Sequence, residues 1–238
     1  CHATAGQNDK TLLGGGHALK SDFGTFYAPD ISPSDAGLGR FDLPAFARAM
    51  RQGISPEGRH YYPAFPYTSY SRMRDRDVAD LFAYLRSLPA VGAQNIAHDV
   101  GFPFNQRRAI GLWNRVYLRA DDVMTGDLDP QLTRGRYLVE GAGHCAECHT
   151  ARGPFGALDR SQWMRGAPNP SGKGRIPDIT PATLGWSQAD LVEYFTSGFT
   201  PDYDSVGGSM AAVVDNLAQL PQSDRAAIAA YLLALPVP

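Results

Sequence analysis

Three cysteines in 238 residues are too few for a structural zinc site, which needs further Cys or His ligands at similar spacing. No apolar run approaches the roughly 20 residues that span a bilayer, so the sequence predicts neither a transmembrane segment nor a retained signal peptide. Charge of either sign is unclustered. The net charge is −2, with no basic stripe to suggest nucleic acid as a partner and no polybasic cluster to suggest anionic lipid. What is present, 43% hydrophobic residues at a mean hydropathy of −0.28, describes a soluble globular chain. It is long enough for one large domain or two small ones.

The scarce cysteines are not scattered. Two of them fall in Cys145-Ala146-Glu147-Cys148-His149, the attachment signature of a c-type haem, in which the thiols become thioethers and the imidazole ligates iron. A thioredoxin-like redox pair would want a βαβ context and no trailing histidine. The third cysteine opens Cys1-His2-Ala3-Thr4-Ala5-Gly6, which reads like the tail of the same signature, as Cys148-His149-Thr150-Ala151-Arg152-Gly153 does. All three cysteines therefore stand in haem contexts, and disulfides say nothing about compartment.

Aligning the halves on their Cys-His pairs exposes a duplication. Pro29-Asp30-Ile31-Ser32-Pro33 begins 27 residues after His2, and Pro177-Asp178-Ile179-Thr180-Pro181 begins 28 after His149. Each is followed by Leu-Gly and an aromatic (Leu38-Gly39-Arg40-Phe41; Leu184-Gly185-Trp186), a short helix ending in glycine (Gly53; Gly198), a methionine, and a helix carrying Tyr-Leu (Tyr84-Leu85; Tyr231-Leu232). The repeat predicts a haem domain over residues 1–90, a second over 129–238, and a connector over 91–128 packing across both, with Phe102, Phe104 and Trp113 as interface core. Helices are predicted over 42–53, 75–88, 109–118, 133–140, 187–197 and from 221 or 222 to 235, from caps, breakers and apolar spacing. The Gly/Pro-rich stretches between them, including 14–33 and 198–210, read as loops around the haems.

A His/thioether iron is six-coordinate and has no open position for substrate, which favours electron transfer over catalysis. For the second haem His149 is the proximal ligand and Met210, in a glycine-flanked loop, the sixth. For the first haem His2 and Met73 are the matching pair, with His60 and His17 as rivals that would give a lower potential. Met50, Met124 and Met164 read as packing residues. A carbonyl in the proline-rich loops is expected to accept from each ligand histidine, and Arg40, Arg59, Arg175 and Trp186 are candidate propionate partners.

Residues 51–70, from Arg51-Gln52-Gly53 through Tyr61-Tyr62-Pro63-Ala64-Phe65-Pro66-Tyr67 to Tyr70, resemble the multihaem cytochrome c subunits of periplasmic, membrane-associated dehydrogenases of the alcohol, gluconate and nicotinate types. So do Phe102-Pro103-Phe104-Asn105-Gln106-Arg107 and Met210-Ala211-Ala212-Val213-Val214. The resemblance implies an all-α fold of two tandem class I cytochrome c domains, two covalent haem c groups and a periplasmic location, soluble or peripheral to the inner membrane. It also implies a dehydrogenase as electron donor and a cytochrome or terminal oxidase as acceptor. Relatives place a methionine where Phe65 stands, a role that Met73 would take over. A first domain mirroring Leu132 to Cys145 would have a helix and another cysteine before Cys1. Either such residues precede this sequence, or the first haem has one thioether link; a lipoprotein beginning at Cys1 would instead carry lipid on that thiol. The rival enzymatic readings are a dihaem peroxidase, which needs an open iron site, and a dihaem thiosulfate dehydrogenase, which needs a cysteine ligand. A haem-based sensor would need a signalling domain, and none is visible.

Overall fold

A computed structural model describes residues 1–4, 6–170, 172 and 174–236. It divides into two compact units, Cys1–Ala120 with Pro170–Lys173, and Asp121–Asn169 with Gly174–Pro238. Residues 91–120 thus belong to the first unit and 121–128 to the second.

The first unit opens with strands β1 (Ala18–Ser21) and β2 (Gly24–Tyr27), an antiparallel hairpin in which Leu19 faces Phe26. Helix α1 (Leu43–Gln52) forms where the sequence supplies both ends. Asp42 caps it by accepting from the Ala45 amide, Pro44 sits in the first turn, and Gly53 closes it at φ 64°, donating to the Ala49 carbonyl at 3.0 Å. A Cβ on Gly53 would also lie 2.5 Å from the buried Tyr67 ring. A single turn α2 (Tyr67–Tyr70) leads to α3 (Asp75–Ser87), whose Asp75 and Asp77 complement the helix N-terminus. Phe46 and Met50 of α1 and Val78 and Leu85 of α3 form the core with Leu38 and Met73. Strand β3 (Asp99–Val100) then pairs with β2, and α4 (Arg108–Tyr117) lies on the unit without burying any residue of its own.

In the second unit α5 (Pro130–Arg136), capped by Asp129, continues into a π-helical turn Tyr137–Ala142 and then α6 (Ala146–His149). Strands β4 (Ala167–Pro168) and β5 (Arg175–Ile176) pair antiparallel, and α7 (Pro181–Leu184) is one turn. Helix α8 (Gln188–Ser197) has a reciprocal Ser187/Asp190 capping box and ends at Gly198, φ 79°. Helices α9 (Ser209–Leu217) and α10 (Gln222–Leu233) complete it. α5 crosses α10 at Gly135, where a Cβ would stand 2.0 Å from the Ala227 carbonyl oxygen. Beside this crossing Arg134 grips Asp224 with two hydrogen bonds of 2.9 and 2.7 Å.

Several expectations need correction. The chain is mainly helical but not all-α: residues 14–33, read as loop, contain β1 and β2, and β3, β4 and β5 add a further strand and a second small sheet. These strands of two to four residues are too short to show a period of two. Met210 lies not in a loop but in the first turn of α9. Its glycine approach and paired valines argue against helix, yet burial of Val214 holds the helix in place. The helix expected over 133–140 starts at Pro130 and changes to π geometry at Tyr137. Phe102 and Phe104, placed in a buried interface, are 82% and 46% exposed; of the two, Phe104 has an aromatic partner, Phe23, at 4.9 Å.

Gly135→Ala is expected to destabilise the protein by about 1–3 kcal/mol, because overpacking must push the α5–α10 crossing apart; a denaturation midpoint equal to wild type would contradict this. Hydrogen bonding from Arg134 lowers the Asp224 pKa from its ordinary value of 3.8. Folded Asp224 therefore binds its proton less readily than unfolded, so the pair stabilises above that pH and its contribution fades as pH falls below it. Asp224→Asn should cost about 1 kcal/mol or less at neutral pH, and the gap from wild type in pH-dependent denaturation should close below pH 3.8. A constant gap would refute the assignment.

Candidate functional site

In the second unit the backbone changes course twice to present the Cys-His segment. The π-turn places Val139 so that its carbonyl accepts from the Cys145 amide at 3.3 Å, and His144 takes φ 43° in the turn just before. Short helix α6 then carries Cys148 outward and His149 inward, the histidine being buried. Its Nδ1 lies 2.9 Å from the Pro177 carbonyl oxygen, and its own carbonyl accepts from the Gly166 amide at 2.8 Å. Gly166 has no substitute here: its φ is 76°, and a Cβ would meet the Ile176 carbonyl oxygen at 2.5 Å. Asp178 fixes the loop that offers Pro177. One carboxylate oxygen accepts from the Thr180 amide at 2.8 Å and hydroxyl at 2.7 Å, and the other from the Thr183 hydroxyl at 3.0 Å.

The first unit repeats the two bonds of the histidine around His2. His2 Nδ1 lies 2.9 Å from the Pro29 carbonyl oxygen, and the His2 carbonyl accepts from the Gly15 amide at 2.8 Å. Gly15 has φ 72°, and a Cβ there would stand 2.4 Å from the Ala28 carbonyl oxygen. Asp30, buried where Asp178 is half-buried, accepts from the Ser32 amide at 2.7 Å, and from the Ser34 hydroxyl and the Ala93 amide at 3.0 Å each. The Pro-Asp-Ile repeat seen in the sequence is thus a device that holds a carbonyl against a histidine. The residue type that the sequence left unassigned as acceptor is the proline, and the aspartate after it, which sequence reasoning passed over, anchors the loop.

This geometry decides which ring nitrogen is available. An Nδ1–H that donates to a carbonyl leaves the Nε2 lone pair free to bind a metal, and neither Nε2 makes a hydrogen bond among the described residues. Burial lowers the pKa of both histidines, opposed by the carbonyl bonds, which favours the neutral ring, the form that ligates. None of the three cysteines is in a disulfide. Burial pushes the Cys145 thiol up to about 12 and raises that of Cys148. No cluster of three or more His, Cys, Asp or Glu side chains suited to a metal ion occurs among the described residues. The donor set fits a group that brings its own metal and is fastened through sulfur.

The other candidates divide clearly. Met73 is buried at the end of the 53–73 segment, its carbonyl accepting from Arg51 at 2.7 Å. Met210 is half-buried at the start of α9. Met50, Met124 and Met164 pack in or against the two cores. Of the rival histidines, His17 is exposed, and the His60 ring faces α4, its Nε2 2.8 Å from where a Cβ on Gly111 would stand. Phe65 stacks among Tyr61, Tyr67 and Tyr70. Arg40, Arg59 and Arg175 are exposed, and Trp186 stacks edge-on against Tyr194 at 5.2 Å.

No protein-family model matches the chain. Individual relatives do. The chain is 52% identical to a dihaem c-type cytochrome of Cereibacter sphaeroides over 99% of its own length and 81% of the relative's. It is 39% identical to a nicotinate dehydrogenase subunit of Pseudomonas putida, covering 99% of this chain and 20% of that one. It is 35% identical to the fructose dehydrogenase cytochrome subunit of Gluconobacter japonicus, covering 99% and 49%. The chain thus spans half or less of those two dehydrogenase subunits. With four-fifths of the first relative covered at this identity, the chain belongs to the multihaem c-type cytochrome subunit family.

Proposed function

We propose that the protein is a periplasmic dihaem c-type cytochrome that relays single electrons from a dehydrogenase to a downstream cytochrome or terminal oxidase. Residues 1–90 and 129–238 are its tandem class I cytochrome c domains. Cys145 and Cys148 attach one haem c and Cys1 the other, His149 and His2 are the proximal ligands, and Met210 and Met73 are the sixth. The observation that carries this reading is the duplicated histidine, oriented by a proline carbonyl at 2.9 Å in both units and buried in the second. The names of the relatives support it: a dihaem cytochrome, and cytochrome subunits of fructose, alcohol and gluconate dehydrogenases.

Haem iron supplies a one-electron ferric/ferrous exchange when bound. Everything else is the work of the chain. The Pro29 and Pro177 carbonyls fix the imidazole planes and make Nε2 more basic, which would favour oxidised iron when haem is bound; a methionine thioether ligand would favour the reduced state. With haem bound, ligation by His149 and Met210, and by His2 and Met73, would leave no iron position for substrate, as an electron carrier requires. No helix of the described residues is long and apolar enough to cross a membrane.

Redox titration of the loaded protein should show two one-electron steps. In Met210→Ala one of them should move to lower potential and one iron should bind carbon monoxide or cyanide, with both haems still attached. Unchanged potentials and no added ligand would remove Met210 from the assignment, and a single one-electron step in the wild type would overturn the dihaem relay.

A further inference from the structure

Helix α4 is attached by one face. Asn114 accepts from the Tyr67 hydroxyl at 2.8 Å and donates to the Gln52 carbonyl at 3.1 Å, and Gly111 lets His60 approach. The opposite face carries Arg108, Leu112, Arg115 and Val116 at spacings of four, seven and eight residues, a single stripe on a helix. Leu112 is 67% and Val116 54% exposed, and the exposed Phe102 lies in the turn leading to the helix. Arg108, Arg115 and, just past the helix end, Arg119 have no ion pair or hydrogen bond among the described residues. At the edge of this face a cavity of about 350 Å³ opens between His60, Gly111, Leu112 and Arg115.

A helix that buries none of its residues but turns leucine and valine to water is not explained by core packing. Aromatic and aliphatic anchors with arginine are the composition of protein interfaces. All four basic residues between 91 and 128 are arginine and none is lysine, which suits forked pairing with carboxylates more than loose attraction to a lipid surface. The face also sits over the segment that leads to Met73, because Asn114 is bonded to Tyr67 and Tyr67 packs on Phe65 at 6.1 Å.

We propose that the outer face of α4 docks an acidic surface of the protein that exchanges electrons with the first unit, with one carboxylate side chain of that partner entering the His60–Arg115 cavity. The proposal rests on the relay reading above and names the chemistry of its partner. Its test is photo-crosslinking of the full haem-loaded chain in its native host, with Leu112→benzoylphenylalanine as the probe. The expected adduct is with a peptide of a second redox protein that carries Asp or Glu beside the crosslinked position. Arg115→Glu in the same background should lower the yield about tenfold, with covalent haem content and redox titration unchanged. An adduct with another copy, with another part of this chain or with lipid, no adduct, or a yield indifferent to Arg115→Glu would overturn it. Loss of the two-step titration in the unsubstituted protein would instead sink the relay reading itself.

Discussion

The arrangement turns on one hydrogen bond made twice, from a histidine Nδ1 to a proline carbonyl 27 or 28 residues further along the chain. It selects the tautomer, orients the ring and leaves Nε2 available. Much else exists to keep that bond in place. Gly15 and Gly166 take backbone angles that favour glycine, so that the histidine's own carbonyl is held from the other side. Asp30 and Asp178 spend their carboxylates on amides and hydroxyls of the loop that supplies the proline. A buried aspartate such as Asp30 is costly unless its lone pairs are filled, and here they are filled by Ser32 and Ser34 of that loop and by the Ala93 amide.

Around these bonds each unit has packing of its own. The second builds a buried polar chain in which the Trp163 indole donates to Tyr231, and Tyr231 donates to Glu140 at 2.8 Å; Glu140 also accepts from the Val123 and Met124 amides. Burial and the neighbouring Glu140 raise the Tyr231 pKa, keeping it a donor. This network ties the π-turn before Cys145 to α10, where Gly135 already permits close approach. In the first unit the segment after α1 is filled by stacked Tyr61, Phe65, Tyr67 and Tyr70.

Local signals were legible in the sequence and distant ones were not. Asp42, Pro44 and Gly53 announced α1, and Ser187 and Gly198 announced α8, because caps act within four residues. The Cys-His pairs and the Pro-Asp-Ile repeat were visible as spacing. The role of the proline was not, because the bond that defines it closes a loop whose course no local rule gives. The Glu140–Tyr231 bond spans 91 residues and left no trace in periodicity. Helix α9 was hidden by glycine and valine, whose local preferences are outweighed by burial of Val214. The exposure of Phe102 and Phe104 ran against a composition that suggests core.

The central claim is that two separate Cys-His segments each hold a covalent haem. Intact mass of the purified holoprotein under denaturing conditions, with haem quantified in alkaline pyridine, tests it most directly. The account predicts two haems per chain that survive denaturation; one haem, retained through Cys145 and Cys148 alone, would contradict it.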